Sequence, residues 1–204
     1  TKLLQTDIVS ISLDKKETFK QQYQPNRDGL TFLFVGQIVE RKGVRYLLEA
    51  WRKHILSNPS DRLLLVGSGN QLEEFRRQYK DDTSINLTGR VEYENVYKFY
   101  AIADVFIIPT IEDNWSLVIP EAMACGLPVS TSINNGCHVE LVHKDENGIT
   151  FDPYKEDTLV EALDYFHHQD LKVMGQKSIE LEKEFNTENC ARRVYDALTN
   201  KLKR

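Results

Sequence analysis

The sequence has 204 residues, 41% of them hydrophobic and 28% charged, which describes a globular chain of one ordinary to large domain and excludes a disordered or fibrous one. Lys and Arg number 26 against 31 Asp and Glu, a formal charge of −5. The chain therefore lacks the broad positive field that drives bulk nucleic-acid binding, and any anionic ligand must be held by a local site.

Thr1–Asp28 is polar and weakly patterned. Within it Asp7–Leu13 alternates and predicts a short edge strand. Thr1–Lys20 has no basic head followed by an apolar body, so no signal peptide is expected. Pro25–Gly29 is a turn cluster. Leu30–Val35, bounded by Gly29 and Gly36, reads as a buried strand. From Gly43 onward Val44, Leu47, Leu48, Trp51 and Ile55 form one stripe at helical period. Arg62–Val66 is a second strand and ends in Gly67-Ser68-Gly69. Asn70 and Glu73 have the spacing of a capping box for the next helix. Ile85–Thr88 predicts a third strand. Val96, Phe99, Tyr100 and Ala103 mark a helix, and Val105–Ile108 a fourth strand. Leu117–Cys125 is a short helix stopped by Gly126 and Pro128. Pro128–Ser132 and Gly148–Phe151 complete the strands. Beyond Phe151 only helices are predicted. Leu159, Ala162, Leu163 and Phe166 mark the first, and Leu171–Phe185 spans the second. Ala191, Val194, Tyr195, Leu198 and Leu202 mark the third.

Strands that alternate with helices over short connections predict an α/β fold. The expected architecture is a Rossmann-like, doubly wound parallel sheet of about six strands, with helices on both faces and a C-terminal helical segment. The strands are continuous apolar runs, as doubly covered strands should be. One domain over 1–204 is expected, with an N-terminal segment 1–28, an α/β core 29–151 and C-terminal helices 152–204. No apolar run approaches the ~18 residues that cross a bilayer. The cysteines, Cys125, Cys137 and Cys190, are too few and too scattered for a disulfide framework, so a reduced, cytoplasmic setting is expected. His167–His168 falls in a polar part of a helix with no Cys or carboxylate at ligand spacing. It reads as a solvated face, and no metal site is expected.

Ligands of open parallel sheets bind outside the carboxyl ends of the strands, so the turns after the strands are the places for chemistry. Gly36–Gly43 (GQIVERKG) has Gly at both ends, where backbone can approach a ligand. Its Lys42 stands at a helix start, where the dipole disfavours a cation unless an anion sits there too. Gly67-Ser68-Gly69 is part of a dinucleotide fingerprint whose third Gly is replaced by Leu72, and a lone GxG fits a tight turn equally well. The densest cluster is Pro109–Val129. In it Asp113 precedes a helix and Glu121 lies eight positions on, inside it. Amides at Trp115–Leu117 would point out of the helix start toward a phosphate. Two carboxylates flanking such a site make sense as acceptors for sugar hydroxyls. The alternative is that Asp113 caps the helix and Glu121 is solvated.

These segments resemble the retaining glycosyltransferases of family four, which have the GT-B architecture. Asp113 and Glu121 stand as its acidic, seven residues, acidic motif, and Glu121–Val129 (EAMACGLPV) is especially close. Gly36–Gly43 is similar to the family's phosphate loop. Val66–Gly69, Leu87–Val91 and Ala103–Val105 follow in order and spacing, so the likeness covers about Leu30 to Phe151. The family transfers a sugar from a nucleotide-diphosphate donor with retention of anomeric configuration. By resemblance, Lys42 pairs with the donor diphosphate and Gly36 gives it close access to backbone. Asp113 contacts hydroxyls of the transferred sugar and Glu121 the ribose. Lys42, Asp113 and Glu121 are thus the expected catalytic residues. Gly36, Gln37, Lys42, Gly67, Arg90, Val91, Asn114, Trp115, Ser116, Leu117 and Glu121 are the expected donor-binding residues, with Arg90 and Val91 near the base.

The sequence departs from the family in three ways. Gln37 stands where Arg is usual, removing one cationic donor, and Arg41 could compensate. Asp113 stands where Glu is commoner, and Glu112 beside it is a rival. The chain also matches only the donor-binding half, so the acceptor-binding N-terminal domain is expected to be missing and the isolated chain inactive. The last helix, Thr187–Lys203, is then expected to leave an apolar face partly uncovered. The resemblance further implies a glycan or lipid-linked saccharide acceptor, a role in surface polysaccharide synthesis and a cytoplasmic location at the inner face of a membrane. No cofactor is implied beyond the donor itself, a UDP- or GDP-sugar for example. No DxD triplet occurs, which favours transfer without a metal bridging the diphosphate. The alternatives are a nucleotide-sugar-binding module without activity and a sugar-nucleotide epimerase of the same architecture. Lys42→Ala and Glu121→Ala are expected to abolish transfer with little loss of fold.

Overall fold

Each apolar run pairs in parallel with the next. Phe32–Phe34, Leu63–Leu65 and Val105–Ile108 are all wholly buried. A strand buried on both faces needs no polar side, which is why these runs show no alternation. The computed structural model describes residues 13–24, 28–185 and 187–202. Its strands are β1 (Thr31–Val35), β2 (Arg62–Val66), β3 (Ile85–Gly89), β4 (Val105–Ile108), β5 (Val129–Ser132) and β6 (Gly148–Phe151). They form one six-stranded sheet in the order β3-β2-β1-β4-β5-β6, parallel throughout. The order reverses between β1 and β4, so the crevice of this doubly wound sheet opens at their carboxyl ends.

The helices are α1 (Leu13–Tyr23), α2 (Val44–Ser57), α3 (Leu72–Gln78), α4 (Tyr93–Ile102), α5 (Val118–Ala124), α6 (His138–Leu141), α7 (Glu156–Asp164), α8 (Leu171–Lys183) and α9 (Thr187–Leu202). They cover both faces of the sheet. α2 packs on α7, α5 on α8 and α1 on α4. The predicted stripe of α2 is its buried face, and Trp51 packs edge-on against Phe32 with ring centroids 5.6 Å apart. The Trp51 indole donates to Ser84 Oγ at 2.9 Å, which satisfies the one polar atom that this burial carries inward.

Several expectations need correction. The strand predicted over Asp7–Leu13 falls on residues outside those described, except Leu13, which begins α1. α1 escapes the periodicity test because it is largely polar. Phe19 and Tyr23 fasten it, their rings lying 5.2 and 5.4 Å from Phe99 of α4. The capping box at Asn70 and Glu73 does not form. α3 starts at Leu72 with Gln71 at its N-cap and no side-chain cap. The Gln71 amide is taken by Glu40 Oε2 at 2.5 Å, and Glu73 pairs with Arg76 at 2.7 Å. The short helix α6 has no counterpart in the predicted elements, and the helix predicted through Phe166 ends at Asp164 and continues as a 3-10 turn, Tyr165–His168. His167 is exposed, as expected of a solvated face, but it has a carboxylate partner. Its Nε2 lies 2.7 Å from Asp61 Oδ2, a carboxylate that sequence spacing could not bring to it.

The loops at the carboxyl edge stack in the same order as the strands beneath them. Gly67 N donates to Gly89 O, Gly36 N to Val66 O and Ile38 N to Ser68 O, each at 3.0 Å. Ile111 N then donates to Arg41 O at 2.9 Å, and Gly136 N to Asp113 O at 2.8 Å. The spacing is set by contacts that admit no side chain. A Cβ on Gly67, whose φ is +147°, would lie 1.8 Å from Gly36 O, and one on Gly43 would lie 2.1 Å from Pro109 O. Gly67→Ala is therefore expected to destabilise the chain by about 1–3 kcal/mol through backbone strain, and urea denaturation would measure it. An unchanged midpoint would show that the two loops are free to separate.

Candidate functional site

The loop after β1 and the loop after β4 meet across the crevice. Lys42 closes a 3-10 turn (Glu40–Lys42), and Gly43 with φ +67° passes the chain into α2. The turn leaves Lys42 only 9% exposed. Its Nζ forms a short ion pair with Asp113 Oδ2. The same Oδ2 accepts from Ser116 Oγ at 2.6 Å, and Oδ1 accepts from Trp115 N at 3.2 Å. Burial would raise the Asp113 carboxyl, but hydrogen bonds from Lys42 and Ser116 and the Lys42 charge hold it below the ordinary carboxylate range. The cation at the helix start thus has an anion from its own chain. Asp113, not the exposed Glu112, is the residue turned inward. Asp113 does not cap α5, which has no side-chain cap.

Glu121 stands apart from this pair, half-buried on α5. Tyr100 of α4, itself 1% exposed, donates its hydroxyl to Glu121 Oε2 at 3.2 Å. Burial raises the Glu121 carboxyl above its ordinary value, and the Tyr100 hydrogen bond offsets this only in part. Burial and the Glu121 charge push the Cys125 thiol up to about 12, so it stays protonated and is no nucleophile. Glu121 opens onto a groove of about 890 Å³ whose walls are Trp115, Leu117 and Pro120 on one side and Phe185, Val194, Tyr195 and Leu198 on the other. Val194, Tyr195 and Leu198 of α9 are 60%, 67% and 60% exposed. The expected uncovered apolar face is present.

The other expected residues divide. Gly36 and Gly67 lie in the stacked loops, as close approach requires. Gln37 and Asn114 are exposed on the rim. Arg90 is exposed and pairs with Glu92 at 3.3 Å, while Val91 packs against the core. Both follow β3, two strands away from β1. Among the amides expected to meet a phosphate, that of Trp115 is held by Asp113. Sequence reasoning missed two partners, Tyr100 and the Ser116 hydroxyl. Tyr100 appeared only as one residue of a helical stripe, and no local signal tied it to Glu121.

A family model described as glycosyl transferases group 1 matches residues 15–187. The chain is 31% identical over 159 residues to an uncharacterized glycosyltransferase of Methanocaldococcus jannaschii, covering 76% of this chain and 40% of that protein. It is 26% identical over 189 residues to the alpha-monoglucosyldiacylglycerol synthase of Acholeplasma laidlawii, covering 91% of this chain and 46% of the relative. A solved structure of HepE from Anabaena in complex with UDP and glucose superposes with a TM-score of 0.79 at 18% identity, covering 93% of this chain and 53% of that one. That likeness shows the fold, the doubly wound sheet of GT-B glycosyltransferases. The chain spans about half the length of these proteins or less.

Proposed function

The chain belongs to the group 1 glycosyltransferases, and from that premise we propose that it is the donor-binding domain of a retaining, metal-independent enzyme of family four. It would transfer a sugar from a nucleotide-diphosphate donor to a glycan or lipid-linked acceptor. The observation that carries this reading is the placement of Lys42 and Asp113 across the topological switch point, where sheets of this order bind nucleotides. In the proposed complex the diphosphate approaches over Gly36 and Gly67, and Lys42 shares its charge between Asp113 and a phosphate oxygen. That charge stabilises the leaving diphosphate as it separates from the sugar. Glu121, ionised, accepts from the ribose hydroxyls, and its contact with Tyr100 fixes its direction. Asp113 meets the transferred sugar with whatever lone-pair capacity Lys42, Ser116 and Trp115 leave it. A cytoplasmic enzyme of surface polysaccharide assembly, acting at a membrane, fits this chemistry. Among the described residues no helix is long and apolar enough to cross a membrane.

A second reading is a nucleotide-sugar-binding module without transferase activity. Asp113 already neutralises Lys42, and Gln37 supplies no second cation. A thermal-shift panel with UDP, GDP, ADP and their sugars, with and without EDTA, tests the donor site. One nucleotide at ~100 times its Kd should stabilise by about 2.7 kcal/mol, to the same extent in EDTA. No shift with any nucleotide, in this chain or in the whole protein, would overturn the assignment. A nucleotide shift in the whole protein without transfer would favour the binding module.

A further inference from the structure

A second convergence of polar side chains lies at the opposite edge of the sheet. Asp61 immediately precedes β2 and His54 lies in the last turn of α2. Each is 1% exposed. His167 comes from the 3-10 turn after α7. His54 Nε2 lies 2.9 Å, and His167 Nε2 2.7 Å, from the same oxygen, Asp61 Oδ2. All three atoms lie within 4.8 Å of one another.

The geometry points to a binding site for a divalent transition ion, zinc above all, ligated by His54 Nε2, His167 Nε2 and Asp61 Oδ2. Two imidazole nitrogens and one carboxylate oxygen are a donor set that suits zinc and suits magnesium or calcium poorly. The outer contacts are those that a metal site needs. His54 Nδ1 lies 2.5 Å from Asp164 Oδ1, so with the ion in place the ring keeps its proton there and frees Nε2. Asp61 Oδ1 accepts from Leu30 N at 2.8 Å, which fixes the carboxylate plane. Ligands bonded at ~2.0 Å around a tetrahedral ion stand a few tenths of an ångström further apart than these hydrogen-bonded atoms. The His167 side chain is 25% exposed and its short turn can give that distance. The ion would tie α2, the start of β2 and the turn after α7 together. It would be structural, and remote from the carboxyl ends of the strands where the donor is placed.

The test is a Zn²⁺ titration of the chelator-stripped chain, with Co²⁺ as the spectroscopic probe. One Zn²⁺ per chain, a raised melting temperature and the visible absorption of four-coordinate Co²⁺ are expected. Asp164→Asn should weaken Zn²⁺ binding by about 10- to 100-fold through the outer contact, and His167→Gln should weaken it further. His168→Gln, at the exposed neighbour, should change nothing. His167 and Asp164 both reach solvent, so both variants are expected to fold, which circular dichroism would verify. Absence of stoichiometric binding, or binding indifferent to both His167→Gln and Asp164→Asn, would overturn the assignment.

Discussion

Glu121→Gln is expected to raise the melting temperature of the chain at pH 7 and to remove most of its affinity for nucleotide. The two effects have one origin. Burial raises the Glu121 carboxyl above its ordinary value of 4.5, so the folded chain holds this proton more tightly than the unfolded one does. The sign follows from linkage. Between the unfolded and the folded value the native state binds more protons, so stability falls as pH rises through that window and stays lowered above it. Glutamine carries no charge to desolvate and still accepts from Tyr100, so it relieves the penalty. It also replaces two charge-assisted acceptances from ribose with neutral ones. The difference is about 2–3 kcal/mol, or about 30- to 150-fold in affinity. Calorimetry with the nucleotide that wins the thermal-shift panel would measure it. The wild-type affinity should fall on acidification through the Glu121 titration, and that of the variant should not. An unchanged Kd would remove Glu121 from the ribose contact.

Lys42→Ala is expected to damage both the fold and the reaction, which revises the expectation of little structural loss. The pair is nearly sealed, with side-chain exposures of 11% for Lys42 and 14% for Asp113. Removing one partner of a buried pair costs about 3–5 kcal/mol, because the other charge is left without compensation. Here Ser116 Oγ and Trp115 N remain on Asp113, so the lower end of that range is expected. The double variant Lys42→Met with Asp113→Leu should recover most of the stability in a urea titration. It should recover no transfer in the whole protein, where loss of the cation from the leaving diphosphate is worth about 10²- to 10³-fold. The acid limb should change as well. Asp113 is held below its ordinary value of 3.8, so its contribution is present above that value and is lost as pH falls through the lowered one. Lys42→Ala should flatten that limb. A single variant as stable as wild type would mean that the pair is not closed in solution.

What could be read from residues and what could not divides along physical lines. The runs at Leu30–Val35, Arg62–Val66 and Val105–Ile108 were legible because strands covered on both faces need unbroken apolar side chains. Gly67 and Gly43 were legible as punctuation, though the carbonyls they admit were not. α1 was hidden because two aromatic residues, four positions apart in a largely polar segment, fasten it. The capping box at Asn70 failed because Gln71 and Glu40, 31 positions apart, took the local hydrogen bonding elsewhere. Motif spacing singled out Lys42, Asp113 and Glu121 as residues of interest, and the crevice joins the first two. It could not show that Lys42 and Asp113 satisfy each other, nor that Glu121 answers to Tyr100. Those are contacts between residues 71 and 21 positions apart, created by the parallel sheet. The carboxylate partner of the exposed His167 was hidden for the same reason, since it lies 106 positions away.

The glycine and carbonyl stacking at the carboxyl edge has a consequence for how such a protein can change over generations. Where a Cβ would stand 1.8 Å from a neighbouring carbonyl, a larger residue is taken up only by moving the backbone, so such positions are expected to change rarely. Freedom is confined to side chains that leave the stack for solvent, among them Gln37, Arg41 and Asn114. If the domain binds a nucleotide-sugar donor as proposed, a lineage that takes up a different sugar or base is expected to do so by exchanging such rim residues, as teeth are exchanged on a fixed key blank. A designer who wishes to redirect the domain has the same short set of positions to vary.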